Sequence, residues 1–280
     1  MATKEYPKFS VLMSLYYKEK PEYVRKCFDS LLVQTVRADE WIVVEDGPLT
    51  PELYGFLAEY QNKYPGLINR IPLEKNGGLG IALKEGIQHC SNELVARMDT
   101  DDIARADRFQ KQLQRFMQRP DLDICGSYIT EFEGSPDHIV AKREVPTRNK
   151  EIHEYQRKRD AFNHMTVMYK KSTVLAAGNY QSVPLMEDTM LWVNMMVYGV
   201  RCTNIPDYLV NARVGKDMFD RRGGWEYFKK YRAGRRKVKE TGYISELDYL
   251  ETIAVQFVVA VIPGKLRGYI FKHILHKQVS

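Results

Sequence analysis

Asp99, Asp101 and Asp102 close the stretch Leu94-Val95-Ala96-Arg97-Met98-Asp99-Thr100-Asp101-Asp102, an apolar, β-compatible run that ends abruptly in carboxylates. Acids at the carboxyl end of a buried strand stand where open α/β sheets bind ligands. Two carboxylates one residue apart suit a hard divalent cation and the phosphates it carries. An isolated Asp-x-Asp is more often a solvated turn, with Asp102 or Asp107 capping the next helix. Only the surroundings decide between these.

The surroundings favour chemistry. Residues 9–15 form a short apolar run suited to a buried first strand, and Pro21 suits the first turn of a helix whose apolar stripe is Val24, Phe28, Leu31 and Leu32. Trp41-Ile-Val-Val44 predicts a second buried strand, and it too ends in acid, at Glu45-Asp46-Gly47. A helix through Leu53, Leu57 and Tyr60, a strand over 68–73 and a turn at Asn76-Gly77-Gly78 lead to a helix with Ala82, Leu83 and Ile87. Strand and helix alternate with short connections, which predicts an α/β fold with a doubly wound, mostly parallel, Rossmann-like sheet. Both acidic strand ends and the Gly-rich turn then open at one sheet edge.

The second half changes character. Strands over 123–129 and 139–145, a polar helix over 151–162, an alternating strand over 164–169 and a strand-rich stretch over 200–213 broken by Pro206 predict a smaller, more antiparallel region. Between them Glu187 and Asp188 open a hydrophobic helix running to Tyr198.

The chain has 280 residues, 44% hydrophobic and 28% charged, enough for a large core and unlike a disordered or disulfide-built protein. Cys27, Cys90, Cys125 and Cys202 show no Cys-x-x-Cys spacing and predict buried thiols in a reducing compartment. The first residues carry no apolar signal segment, which points to the cytoplasm. The net charge of +6 is uneven. Residues 221–280 hold 13 Lys/Arg against 5 Asp/Glu, whereas residues 1–220 carry −2.

Five motifs in order, Val11-Leu-Met-Ser14, Val43-Val-Glu-Asp46-Gly47, Asn76-Gly-Gly-Leu-Gly80, Met98-Asp99-Thr-Asp101-Asp102 and Met186-Glu187-Asp188-Thr-Met-Leu-Trp192, resemble glycosyltransferase family 2. The likeness runs from about residue 9 to about residue 222, and the second motif departs from the commoner Asp-Asp-Gly, which leaves the role of Glu45 open. The resemblance implies a GT-A fold and an inverting enzyme of the hexosyltransferase class, of the bacterial capsular or exopolysaccharide type. It implies a nucleotide-binding half at about 8–105 and an acceptor half at about 106–220. Asp101, with Asp99 at the ribose or metal shell, would hold Mn²⁺ or Mg²⁺. Asp46 would hydrogen-bond the base, with Ser14, Tyr16, Glu45, Asn76, Gly77 and Thr100 around the nucleotide sugar. Asp102 stays divided between metal shell and helix cap.

By the same resemblance Asp188 is the catalytic base. Inversion requires an acceptor hydroxyl to lose its proton as it attacks the anomeric carbon, so a carboxylate must stand within hydrogen-bond reach. A helix N-cap is the alternative, and Asp188 suits both. Glu187, His164 and Trp192 are acceptor-side candidates, although a structural His and a core Trp suit their surroundings better. Arg213 and Arg222 would belong to a flexible loop closing on the diphosphate.

The tail combines a cation-rich helix (Lys229, Lys230, Arg232, Arg235, Arg236, Lys237, Lys239) with an apolar stretch over 253–262 and a mixed one over 265–277. These are too short to span a bilayer and suit its surface. The expected protein is a peripheral enzyme on the inner membrane face, taking a UDP-sugar or another nucleotide sugar to a lipid-linked saccharide, with no nucleic-acid partner. A nucleotidyltransferase of similar fold and a non-catalytic membrane or polyanion binder are the alternatives.

Overall fold

The computed structural model describes residues 5–215 and 223–262. Its first half is β1 (Phe9–Leu15), α1 (Pro21–Leu32), β2 (Glu40–Glu45), α2 (Pro51–Lys63), β3 (Ile68–Pro72), α3 (Leu79–His89) and β4 (Leu94–Arg97). β1 pairs in parallel with β2 on one side and β4 on the other, Val11 lying opposite both Trp41 and Ala96. The chain therefore winds outward through β2 and β3, then returns across β1 to place β4. That reversal is a topological switch point, and it opens a crevice at the carboxyl ends of β1 and β4.

Both faces of this parallel half are covered, which is why its strands read as nearly unbroken apolar runs. Alternate residues take alternate sides. Phe9, Val11, Met13 and Leu15 pack with Val24, Phe28, Leu53 and Phe109. Leu12, Ile42 and Val44 pack with Ala82, Leu83, Leu191 and Trp192 on the other side.

Gly86 fixes the approach of α3. A β-carbon there would lie 2.5 Å from both Leu12 Cδ1 and Val44 Cγ2. Alanine in a helix interior ordinarily gains about 1 kcal/mol over glycine, whereas forcing a methyl into a packed core loses about 1–3 kcal/mol. The clash should win, so Gly86→Ala is expected to lower the urea midpoint; a raised midpoint would show that α3 can stand off the sheet.

The second half supplies β5 (Ile103–Ala104), α4 (Arg108–Gln118), β6 (Ile124–Phe132), β7 (Ile139–Arg143), α5 (Asn149–Gln156), β8 (Met168–Lys170), α6 (Lys171–Ala176), α7 (Glu187–Tyr198) and β9 (Cys202–Arg213). One sheet runs β3-β2-β1-β4-β8-β6-β9-β5, with β7 on β6. Three local expectations change. The helix expected over 151–162 ends at Gln156, whose side-chain oxygen accepts from the Ala161 N–H at 2.8 Å and turns the chain away. Residues His164–Thr166 form a 3-10 turn and β8 is only three residues long, because the Thr166 hydroxyl donates to the Asn163 carbonyl at 2.8 Å and curls the chain. Pro206 does not end its strand: the β6–β9 register jumps between Ser127↔Ile205 and Tyr128↔Tyr208, and this irregularity absorbs it.

Two further helices, α8 (Trp225–Glu240) and α9 (Glu246–Val261), form a hairpin. Val238 and Ile244 join Val183, Met186, Met190 and Val193 in a small apolar cluster. A β-carbon on Gly234 would meet Met186 Sδ at 2.8 Å. The hairpin thus rests on the start of α7. Arg157 holds α9 by an ion pair to Asp248 at 2.5 Å, and Ser245 and Asp248 close a capping box at its N-terminus.

Candidate active site

At the switch point lies a cleft of about 270 Å³ lined by Ser14, Tyr16, Glu19, Asp46, Asn76, Gly78, Leu79, Asp99, Thr100 and Asp101. Seven of the expected nucleotide-side residues therefore converge from four separate loops. The Thr100 hydroxyl donates to the Ser14 carbonyl at 3.3 Å, tying the β4 end to the β1 end.

Asp46 is 3% exposed. Its two oxygens accept from the N–H groups of Gly77 and Gly78 at 2.7 and 3.0 Å. Asn76 Nδ2 in turn donates to the Asp46 carbonyl at 3.1 Å. Gly47 permits the contact: its φ is +81° and a β-carbon would meet Asn76 N at 2.5 Å. Gly77 thus serves the site by holding Asp46. Glu45 does not line the cleft; buried, it pairs with Arg70 of β3.

The acids cluster closely enough that Arg97 and Arg213 offset their mutual repulsion only in part. Burial, then the charge of Asp99, pushes the Asp101 carboxyl up to about 6. Burial, then Asp101 and Asp99, pushes Glu19 up to about 7. Burial likewise holds Asp102 well above its ordinary value. Asp102 caps no helix: its Oδ1 accepts from the Arg213 N–H at 2.7 Å, and its buried Oδ2 has no partner among the described residues. Asp107 stands at the α4 N-cap position without capping, its carboxylate being drawn to Arg105 and Lys111.

Such a cluster fits a cation. Among the described residues no three His, Cys, Asp or Glu side chains stand in ligating geometry. A dication here would be held by one or two carboxylates and complete its shell from phosphate oxygens and water, as Mg²⁺ does in phosphate-bearing sites.

Arg213 departs from the expected flexible loop. It ends β9 with its guanidinium 3.8 Å from the Tyr23 ring centre and 4.6 Å from that of Phe132. Its Nε donates to the Asp101 carbonyl at 3.1 Å. These contacts anchor it as a fixed cation at the acid cluster. Arg222 lies outside the described residues.

α7 brings Glu187 and Asp188 to the same edge. A β-carbon on Gly80 of α3 would lie 3.1 Å from Glu187 Cβ and from the Gln181 carbonyl oxygen, so the start of α7 abuts the start of α3, whose Leu79 lines the cleft. Asp188 sits in the first turn rather than at the N-cap, which is Met186, and its Oδ1 accepts from the Thr189 N–H at 2.7 Å. It is partly open to solvent. Burial, then the like charges of Asp160 and Glu187, pushes its carboxyl up to about 7. The helix N-terminus opposes that rise, and the three effects together outweigh it. Burial raises the Glu187 carboxyl too.

The remaining acceptor-side candidates are core residues. Trp192 has no exposed surface and packs on Phe162 and His164, with ring centroids 5.3 and 5.6 Å away. His164 Nε2 meets the Tyr180 hydroxyl at 3.0 Å. Burial, then Arg97, keeps its ring neutral by holding the pKa well below the ordinary value.

Glu19 and Arg97 escaped the sequence reading. Glu19 lies on the loop after β1, at the edge already identified, so its position was the available signal. Arg97 carried a different one, a cation inside an otherwise apolar strand.

The profile for "Glycosyl transferase family 2" matches residues 10–175. An uncharacterized glycosyltransferase of Haemophilus influenzae is 43% identical over 96% of this chain and 100% of its own length. The amylovoran biosynthesis glycosyltransferase AmsE of Erwinia amylovora is 38% identical over 94% of this chain and 98% of its own. The UDP-Gal:alpha-D-GlcNAc-diphosphoundecaprenol beta-1,3-galactosyltransferase of Escherichia coli is 35% identical over 97% and 98%. Among solved structures, the Pyrobaculum calidifontis mannosyltransferase PcManGT with GDP-Man and Mn²⁺ superposes with a TM-score of 0.64 at 14% identity, over 91% of this chain and 70% of that one. S. aureus TarS 1–349 with UDP gives 0.58 at 19% identity, over 96% and 70%. The shared architecture is GT-A.

Proposed function

Because this chain belongs to glycosyl transferase family 2 and is a glycosyltransferase, we propose that it inverts a UDP-sugar onto a lipid-linked saccharide during assembly of a cell-surface polysaccharide. The observation that carries this reading is the meeting of α3 and α7. It sets a carboxylate raised to about 7 beside the cleft that holds Asp99 and Asp101. The Erwinia and Escherichia relatives, whose names specify a polysaccharide, a UDP donor and a diphosphoundecaprenol acceptor, support the choice of substrates.

Asp46 fixes the 76–78 turn as a wall of the nucleotide pocket, and its remaining lone pairs suit a ring N–H such as that of uracil. Tyr16 lies beside the base. Asp101, with Asp99, would hold Mn²⁺ or Mg²⁺, which offsets the charge growing on the departing diphosphate. On the opposite face of the sugar an acceptor hydroxyl attacks the anomeric carbon. The bond from that carbon to the diphosphate oxygen breaks, UDP leaves with the electron pair, and Asp188 takes the hydroxyl proton. Glu187 orients the acceptor or Asp188 itself. The test is a thermal-shift panel of UDP, GDP, CDP and TDP with and without Mn²⁺. UDP with metal should stabilise the fold by about 2.7 kcal/mol at a hundredfold excess over Kd; stabilisation by another nucleotide alone would reassign the donor.

The acceptor reading includes a membrane surface. No helix among the described residues is long and apolar enough to cross a bilayer. Yet α9 turns an apolar arc to solvent (Leu247, Leu250, Ala254, Phe257, Val258, Val261), interrupted by Glu251, which pairs with Lys158. Lys229, Arg232, Arg236 and Lys237 stand exposed on neighbouring α8. Apolar area beside cations suits the inner face of an anionic membrane; the mixed stretch at 265–277 lies outside the described residues. The protein is expected to float with vesicles containing anionic lipid, and Leu250→Glu with Val258→Glu should leave it in the pellet at unchanged Tm. Flotation of that variant at wild-type levels would move the contact elsewhere.

A further inference from the structure

Arg97 ends β4 with its side chain 1% exposed. A guanidinium has five N–H donors and needs partners for them when taken out of water. Here Nη1 stands 2.5 Å from Asp99 Oδ1 in an ion pair, while among the described residues Nε finds no hydrogen-bond acceptor. Its backbone is held from both sides. The Arg97 N–H donates to the Val167 carbonyl at 2.8 Å, and its own carbonyl accepts from Arg108 Nη2 at 2.7 Å. Burial works against the charge, and Asp99, then Tyr180 and Asp102, more than restore it. A well-packed apolar side chain at such a position is often as stable or more so. Stability alone therefore gives no account of Arg97.

Its surroundings do. Asp99 is 32% exposed and lines the cleft, so Arg97 reaches the donor acids from beneath, through the core. The charges of Asp101, Asp102 and Glu187 are all eased by it. Resting on the donor-site reading above, we infer that Arg97 is a positioning residue for the donor site: it pins one oxygen of Asp99, leaving the other for the ligand, and supplies a permanent cation beneath the acid cluster before any donor arrives. Arg97 touches no substrate itself. Lysine would bring the charge without the planar fork, so it should serve only in part.

Two double-mutant cycles test this on Arg97→Met, Asp99→Asn and their combination, one in urea unfolding and one in calorimetric titration with UDP and Mn²⁺. Loss of a partner that holds a ligating carboxylate typically weakens binding by about 10–100-fold. Arg97→Met should show that loss, the double variant should bind no more weakly than the poorer single, and Arg97→Lys should recover part of the affinity. Additive losses, or wild-type affinity in Arg97→Met, would overturn the inference. If Arg97→Met fails to fold, Arg97→Lys and Arg97→Lys with Asp99→Asn carry the same cycle. A wild type that binds no nucleotide would sink the donor reading. In that case the unfolding cycle still decides whether the two side chains are coupled, and absence of coupling would sink the inference by itself.

Discussion

Asp188→Asn is expected to lower kcat by about 10³-fold, within the span of general-base catalysis, while UDP affinity in the presence of Mn²⁺ stays at the wild-type level. Asparagine keeps the shape of the side chain and an oxygen that can accept from the Thr189 N–H, so the first turn of α7 should survive. It cannot take a proton. Transfer of labelled sugar measures the loss and titration calorimetry measures the binding. Retention of more than a tenth of kcat would remove Asp188 from the role of base.

The same residue sets the pH profile. If Asp188 is the base, its ionised carboxylate is the active form, and kcat/KM should rise with pH through about 7 and level off above it. Burial holds that value up first, then the charges of Asp160 and Glu187, against Arg143. Asp160 Oδ1 accepts from the Thr189 hydroxyl at 2.6 Å and from Gln156 Nε2 at 3.1 Å, bonds an Asn oxygen can keep. Asp160→Asn should therefore move the inflection to lower pH without displacing α7. An inflection that stays at 7 would assign the shift to burial alone.

Asp101→Ala has the other large effect. A metal-bridged diphosphate contributes several kcal/mol of charge stabilisation, so UDP should bind at least about 100-fold more weakly in Mn²⁺, at about 1.4 kcal/mol per factor of ten. Binding in EDTA should hardly change, and that contrast separates a ligand of the cation from a residue that merely shapes the cleft. Without nucleotide the variant's Tm should rise, because a carboxylate buried beside Asp99 is removed. Functional sites hold such local instability where the rest of a sequence minimises it. Equal losses with and without metal would place the cation elsewhere.

Local chemistry made much of this legible in the sequence. Apolar runs ending in acid marked β2 and β4, apolar helical positions marked α1 to α3, and the order of five motifs named the family. Period and propensity are short-range properties, so they survive without coordinates. The candidate acids are likewise visible, since few other residue types serve cations and protons at a strand end.

Side-chain partners are not a local property. Glu45 and Asp46 are neighbours of like chemistry, yet the register of β2 against β3 sends one to Arg70 and the other to the Gly77 and Gly78 amides. Alternation gave 164–169 a strand, whereas a Thr166 hydroxyl bond curled half of it into a turn. Trp192 read better as core than as an acceptor-side residue, and its packing on Phe162 and His164 agrees. What the sequence by itself determined was the identity and order of the reactive groups and the family that uses them. The tertiary structure alone decided which acids share a cleft, that Arg97 reaches Asp99 from beneath, and that α3 and α7 meet. Those facts depend on contacts between residues as far apart as Gly80 and Glu187, which no local pattern encodes.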